Sequence, residues 1–380
     1  MQTCDEEENR MDTTKMPKLG FGLMRLPEKD GKIDIEQVCR MADAYLASGM
    51  NYFDTAYVYH GGNSERAVKE VLVKRHPRES FTVASKLPAW VLKTEADRDR
   101  VFEEQLERTG LEYFDYYLLH SIEDGNNYDT YESLDCFNWG IQKKKEGKIK
   151  NFGFSFHGTP DLLKKVLDEH PEIEFVQIQL NYADWNNKVV RSGELYDILH
   201  SRNIPMIIME PVKGGTLANM APEFEKMFKD ARPDKSVASW ALRFVASLPG
   251  VVTILSGMSN WEQMQDNIDT FKNFEPLTDD DKKVVDAVVT KMLGMQLVPC
   301  TSCRYCTDGC PMGILIPDIF RALNTLRQFP NDNRPHFFYN GLLGRSGRAA
   351  DCIACGQCEG VCPQHLEIIE LLKEASAVLD

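Results

Sequence analysis

Apolar runs of strand length recur eight times in the first 260 residues, at 19–24, 51–56, 81–87, 113–120, 149–156, 175–181, 204–212 and 251–258. They are rich in β-branched and aromatic residues and bounded by Gly, Asn, Asp and Ser. Between them, apolar positions return with helical period over 35–48, 64–75, 95–109, 131–146, 189–200, 236–247 and 261–271, with an extra helical piece at 222–230. Strand and helix alternating eight times predict a parallel (β/α)8 barrel, the TIM-barrel architecture. An open doubly wound sheet alternates in the same way, but no GxGxxG follows the first run. The pattern changes near residue 295, beyond which eight of the eleven cysteines fall. We therefore expect a loose polar arm at 1–16, a barrel at 17–294 and a small, cysteine-rich metal-binding domain with helices at 295–380.

In such barrels chemistry collects where the strands end. The second run, NYFDTAYVYH, delivers Asp54 to its end with Tyr57 and Tyr59 just beyond, and GGNSE follows as a loop and helix start. Lys86 ends the third run and His120 the fourth. Singly these are ordinary: a turn Asp, a solvated Lys, a rim His. Barrel closure converges all four on one pocket, which is harder to dismiss.

The tail reads C-T-S-C-R-Y-C-T-D-G-C-P over 300–311 and C-I-A-C-G-Q-C-E-G-V-C-P over 352–363. Each is C-x2-C-x2-C-x3-C-P, the bacterial ferredoxin run, in which the fourth cysteine crosses to the other cluster. The crossing rule assigns Cys300, Cys303, Cys306 and Cys362 to one [4Fe-4S] cluster, and Cys352, Cys355, Cys358 and Cys310 to another. Paired C-x2-C units also hold zinc, but two complete runs with the trailing proline favour iron and sulfur. Cys4, Cys39 and Cys136 lack ligand spacing, and the last two sit in helical patterns. Between the runs, PDIFRALNTLRQF reads as a helix and HFFYNGLLGRSGRAAD as an aromatic loop.

Charge and composition narrow the partners. A net charge of -14 over 380 residues repels duplex nucleic acid and anionic membranes alike. No apolar run reaches the roughly 18 residues of a membrane span. The first sixteen residues are acidic and polar, unlike a secretory signal. We expect a cytoplasmic protein, where clustered cysteines serve metals rather than disulfides.

With LGFGLMRLP, FDTAYVYHGGNSE, ASKLP, FDYYLLH, FGFSFH, VQIQLNY and EPVKGGTL in this order, the chain from about 17 to 275 resembles the aldo/keto reductase family. The resemblance implies an NAD(P)-dependent oxidoreductase in which Asp54, Tyr59, Lys86 and His120 form the catalytic tetrad, with Tyr59 preferred to Tyr57 for its five-residue offset from the Asp. Carbonyl reduction needs a proton donor beside the carbonyl oxygen, and a free phenol, with a pKa of about 10, gives its proton up reluctantly. Lys86 is expected to lower that value, Asp54 to hold Lys86, and His120 to orient the substrate oxygen. The resemblance also places Ser155 and Gln177 at the nicotinamide carboxamide, although Phe156 replaces the family's usual Asn. Met209 stands where an aromatic ring often stacks. Pro211, Val212, Lys213, Gly214, Gly215 and Leu217 offer a turn for the pyrophosphate, and Ser256, Gly257, Met258, Gln263 and Asn267 fall in the adenosine segment. No Lys or Arg lies between Phe244 and Phe271. A 2′-phosphate needs cations, so either NAD is preferred, the reading we lean to, or arginines arrive from elsewhere for NADP.

The combination poses a problem of electron count, because nicotinamide passes two electrons as hydride and each cluster passes one. No flavin signature bridges them. One reading is a carbonyl reductase or alcohol dehydrogenase whose clusters are structural or sense redox state. In another, the clusters connect the barrel to an external ferredoxin or flavoprotein. A third makes the chain an electron-transfer or cofactor-sensing subunit. The intact set of four favours catalysis.

Overall fold

All eight predicted runs are strands of one closed parallel barrel. The computed structural model describes residues 11–123, 127–187, 190–295, 297–300, 302–331 and 333–380. The strands are β1 (Leu19–Gly22), β2 (Tyr52–Asp54), β3 (Thr82–Pro88), β4 (Phe114–Ile122), β5 (Ile149–Phe156), β6 (Phe175–Gln179), β7 (Met206–Met209) and β8 (Val251–Ser256). The ring closes where β1 pairs with β8, Leu19 opposite Ile254, and with β2, Phe21 opposite Phe53.

Strand periodicity sorts the side chains into two cores. Phe53, Val83, Leu119, Val176 and Ile208 point outward into the layer between strands and helices. Tyr52, Ala84, Leu118, Phe175 and Ile207 point inward and fill the lumen floor, with Met11 and Met16 against the same cluster. Gly20 belongs to this floor, since a Cβ there would lie 2.8 Å from Leu255 and 3.1 Å from Tyr52. Two residues further along each strand, on the same inward face, come Asp54, Lys86, His120, Gln177 and Met209. The alternation that packs the floor thus also lifts these polar groups to its upper rim.

Helices return the chain between strands: α1 (Ile35–Ala47), α2 (Asn63–Val68), α3 (Glu95–Thr109), α4 (Asn127–Ser133), α5 (Cys136–Lys145), α6 (Pro160–Glu169), α7 (Ser192–Ser201), α8 (Pro222–Ala231), α9 (Val237–Ala246) and α10 (Trp261–Lys272). Their starts are written in the sequence. Asp34 caps α1 by accepting from Gln37 N at 3.0 Å, and Thr94 with Asp97 forms a capping box on α3. The α6 helix is absent from the sequence expectation, although Thr159 caps it and Pro160 opens it. The helix expected at 131–146 is two helices, broken at Asp135, whose φ is +50°.

The chain separates into two compact units. The first holds the described residues up to Gly214 together with Ala238–Lys282, and the second holds Gly215–Val237 and Lys283–Asp380. In the second unit α11 (Asp279–Leu293) ends and α12 (Tyr305–Asp308), α13 (Ile316–Gln328), α14 (Arg334–Leu342), α15 (Gln357–Gly360) and α16 (Ile368–Leu379) follow. Ile316, Ile319, Phe320, Leu342, Ile368 and Leu372 form a separate small core. The segment expected as an aromatic loop instead contributes α14, whose Tyr339 hydroxyl donates to Asp380 at 2.7 Å and accepts from Ala349 N at 2.8 Å. Cys39 is half-buried and Cys136 buried. Cys4 and most of the expected N-terminal arm lie outside the described residues. Among the described residues no helix is long and apolar enough to cross a membrane.

Candidate active site and cluster cavities

Above the lumen floor, Asp54, Lys86 and His120 from β2, β3 and β4 surround Tyr59, on the turn that follows β2. The Lys86 ammonium donates to Asp54 Oδ1 at 2.7 Å and to the Thr55 carbonyl at 2.8 Å. It also lies 5.0 Å from the centroid of the Tyr59 ring. Tyr59 stands edge-on to His120 with centroids 6.1 Å apart. The turn holds Tyr59 there through three consecutive left-handed residues, His60, Gly61 and Gly62, with φ of +50°, +62° and +87°, which is where the glycine pair is required. Tyr57 faces elsewhere: its hydroxyl donates to Glu104 at 2.9 Å and its ring lies 4.2 Å from the Arg108 guanidinium.

Burial dominates the electrostatics. It raises the Tyr59 phenol above its ordinary value, and Lys86 opposes this without reversing it. The expectation of a lowered phenol is thus corrected: charge proximity is present, but desolvation outweighs it. Burial alone pushes Lys86 down, yet the Asp54 carboxylate and Tyr59 more than offset it and hold the ammonium above its ordinary value. His120 is pushed well below its ordinary value by burial, then by Lys86 and His157, so at neutral pH it is an uncharged imidazole. Its Nδ1 and the second oxygen of Asp54 have no hydrogen-bond partner among the described residues. Trp90, half-exposed at the end of β3, closes the rim 5.1 Å from His120. Trp90 is absent from the sequence expectation, although an exposed Trp beside the polar end of a strand was a usable signal.

Ser155 and Gln177 are register partners across β5 and β6. The Ser155 Oγ accepts from Ser121 N at 2.7 Å, which leaves its hydroxyl hydrogen available. Gln177 donates to the Met209 sulfur at 3.6 Å, while its buried Oε1 has no partner among the described residues. A carboxamide fits this pair, donating to Gln177 Oε1 and accepting from Ser155. Phe156, in place of a polar residue, is buried in the outer core.

Beyond β7, Lys213, Gly214 and Gly215 are all left-handed, with φ of +50°, +65° and +103°. Lys213 is tied to Asp184 at 2.5 Å, and Asp184 is held by Asn181 at 2.9 Å and Gln179 at 3.1 Å. Pro211 and Val212 precede this turn, with Val212 packed on the outer core. Gly215 and Leu217 open the second unit, where Leu217 is fully buried. After β8, Ser256 accepts from Asn267 at 2.8 Å and Met258 is buried in the core. The Gln263 side chain accepts from Ser259 N at 2.7 Å. These side chains are engaged locally, so the segment offers chiefly backbone and Gly257. The stem of exposed Arg25, just after β1, packs beside Gly257, within 3.4 Å of where its Cβ would be, and the Arg25 carbonyl accepts from Ser259 Oγ at 2.8 Å. Arg40 of α1 stacks on Trp261 at 3.8 Å.

In the second unit the eight tail cysteines form two fours. Cys300, Cys303, Cys306 and Cys362 line one small cavity and Cys310, Cys352, Cys355 and Cys358 another. Ile316 lines both. None of them is paired in a disulfide, and four cysteine sulfurs around a small apolar cavity suit a cubane cluster.

Comparison with known proteins finds two family models along the chain. The aldo/keto reductase family model matches residues 18–290, and a 4Fe-4S dicluster domain model matches 299–367. L-galactose dehydrogenase of Arabidopsis thaliana is 26% identical over 283 residues, 69% of this chain and 86% of that protein. An aldo-keto reductase of Mycobacterium avium is 25% identical over 263 residues, 68% and 82% of the two chains. The crystal structure of an aldo-keto reductase from Klebsiella pneumoniae in complex with NADPH superposes with a TM-score of 0.58 at 22% identity, covering 72% of this chain and 91% of that one. The chain belongs to the aldo/keto reductase family, as an NAD(P)-dependent oxidoreductase that carries a 4Fe-4S dicluster domain after its barrel.

Proposed function

We propose that the barrel reduces an aldehyde or ketone, or oxidises the corresponding alcohol, with Tyr59 as general acid and base. The observation that carries this reading is the convergence of Asp54, Lys86, Tyr59 and His120 at the lumen rim. Nicotinamide, held through its carboxamide by Ser155 and Gln177, supplies or accepts hydride when bound. Tyr59 gives its proton to the carbonyl oxygen. Lys86 steadies the phenolate that remains, Asp54 keeps Lys86 charged and in place, and neutral His120 hydrogen-bonds the substrate oxygen. Trp90 gives the substrate an apolar wall. Two [4Fe-4S] clusters occupy the tail on crossed cysteine sets. Exposed Cys303 and Cys355 put an edge of each at the surface, which suits exchange with an external ferredoxin or flavoprotein.

The test is anaerobic. With clusters intact, NADPH consumption is followed on adding short aldehydes and ketones while cluster absorbance is read in the same cuvette. Carbonyl-dependent turnover is the expected result. Cluster reduction by NADPH, with no carbonyl turned over, would instead support the electron-transfer reading and sink this one.

Arg25 makes NADPH the better cofactor, against the lean drawn from the sequence. The Arg25 stem packs beside Gly257, and a guanidinium on that stem can reach and pair with a 2′-phosphate held at this segment. We expect NADPH to bind at least about 10-fold more tightly than NADH, a difference of roughly 1.4 kcal/mol, and Arg25→Ala to erase that preference while leaving NADH binding unchanged. Equal affinities in the parent protein would refute this role.

A further inference from the structure

Behind the rim, on the outer side of β3, lies a buried polar cluster that the chemistry above does not use. The Glu65 carboxylate of α2 is fully buried. It accepts from Ser85 Oγ at 2.8 Å, Gln105 Nε2 at 2.7 Å and Arg108 Nη1 at 3.2 Å. Burying an ion pair among neutral donors contributes little to stability by itself, so where its hydrogen bonds end is informative. They end on the two segments that carry the reacting groups. Gln105 Nε2 also donates to the main-chain carbonyl of Lys86 at 3.1 Å. Arg108 Nη1 also donates to the carbonyl of Tyr57 at 3.1 Å, two residues before Tyr59. The guanidinium fills the space under the left-handed turn as well, since a Cβ on Gly62 would lie 2.9 Å from it. Arg108 is itself paired with Glu104, which receives the Tyr57 hydroxyl. One face of α3 therefore grips both the Tyr59 turn and the Lys86 strand, and Glu65 couples the two grips.

We propose that Glu65, Gln105 and Arg108 are positioning residues that fix the separation of Tyr59 from Lys86. This rests on the reading of Tyr59 as general acid. The proton donor works only within hydrogen-bond reach of the substrate oxygen, and a misplacement of about 1 Å costs on the order of 100-fold. The turn bearing Tyr59 contains two glycines and is soft without an external hold. Its restraint comes from the α3 cluster, out of contact with substrate.

The test is a cycle in the full-length, cluster-loaded protein. Arg108→Ala is expected to lower kcat for carbonyl reduction about 10- to 100-fold while the KM for NADPH stays within about twofold, because the carboxamide wall is untouched. In a Tyr59→Phe background the same substitution should cost nothing further, since the group it positions is gone. An equal loss in both backgrounds would show a general structural role and overturn the proposal, as would an unchanged kcat in folded Arg108→Ala. Should Arg108→Ala not fold, near-isosteric Glu65→Gln carries the same two comparisons. Failure of the underlying reading looks different: Tyr59→Phe alone would then retain full turnover.

Discussion

Tyr59→Phe is expected to lower carbonyl reduction by about 10²- to 10⁴-fold, the usual worth of a positioned general acid, with NADPH affinity and the fold unchanged. The hydroxyl is the only group removed, and the ring keeps its edge contact with His120. The pH profile of the parent protein checks the same assignment. Reduction needs the phenol protonated, and burial, opposed by Lys86, sets its pKa above the ordinary 10.0. Reduction should therefore stay flat through neutral pH and fall only at strongly alkaline pH, as that raised pKa is passed. Alcohol oxidation needs the phenolate and should rise with pH instead. His120, displaced downward, should bring its own limb only in acid. A reduction rate that halves between pH 7 and 9 would contradict the raised phenol, and a fully active Tyr59→Phe variant would remove Tyr59 from the chemistry.

Cys355→Ser is expected to halve the iron and sulfide bound per chain, from about eight atoms of each to about four. Serine offers a hard oxygen in place of the soft thiolate that iron–sulfur clusters prefer. Cys355 is exposed, so its loss opens no hole in the tail core. The cavity linings add a sharper expectation: Cys310→Ser should abolish the same EPR signal as Cys355→Ser, although it stands in the other run, and Cys362→Ser should abolish the other signal. Iron content unaffected by Cys355→Ser would refute the cluster assignment. Loss of the wrong partner signal would refute the crossing alone.

How legible these features were depended on the range over which their causes act. The strands were readable because burial on the barrel wall imposes a continuous apolar run at each. The cysteine sets were readable because cluster geometry dictates ligand spacing directly. Asp54, Lys86 and His120 could be placed once the runs were strands, since each stands at or near the end of one. Where local grammar was misread, the signals were present: Thr159-Pro160 announced α6, and Arg334-Pro335 opens α14 within what looked like a loop. Arg25 was different. It reaches the segment after β8 only through the pairing of β1 with β8, Phe21 opposite Ser256, a contact that no local pattern encodes. The Tyr59 shift failed for a related reason, because sequence reveals a neighbouring charge but not how much water the closed barrel excludes.

The crossed cysteine sets also bear on how the protein is made. During synthesis the last barrel strand, ending at Ser256, leaves the ribosome long before Cys352, so the barrel can begin to fold while the tail is incomplete. Neither thiol quartet is complete until the second run has been translated, and the quartet that starts first, at Cys300, is finished last, by Cys362. Metallation is therefore a late event in the protein's maturation, and a chain cut short between the two runs would hold no complete seat for either cluster.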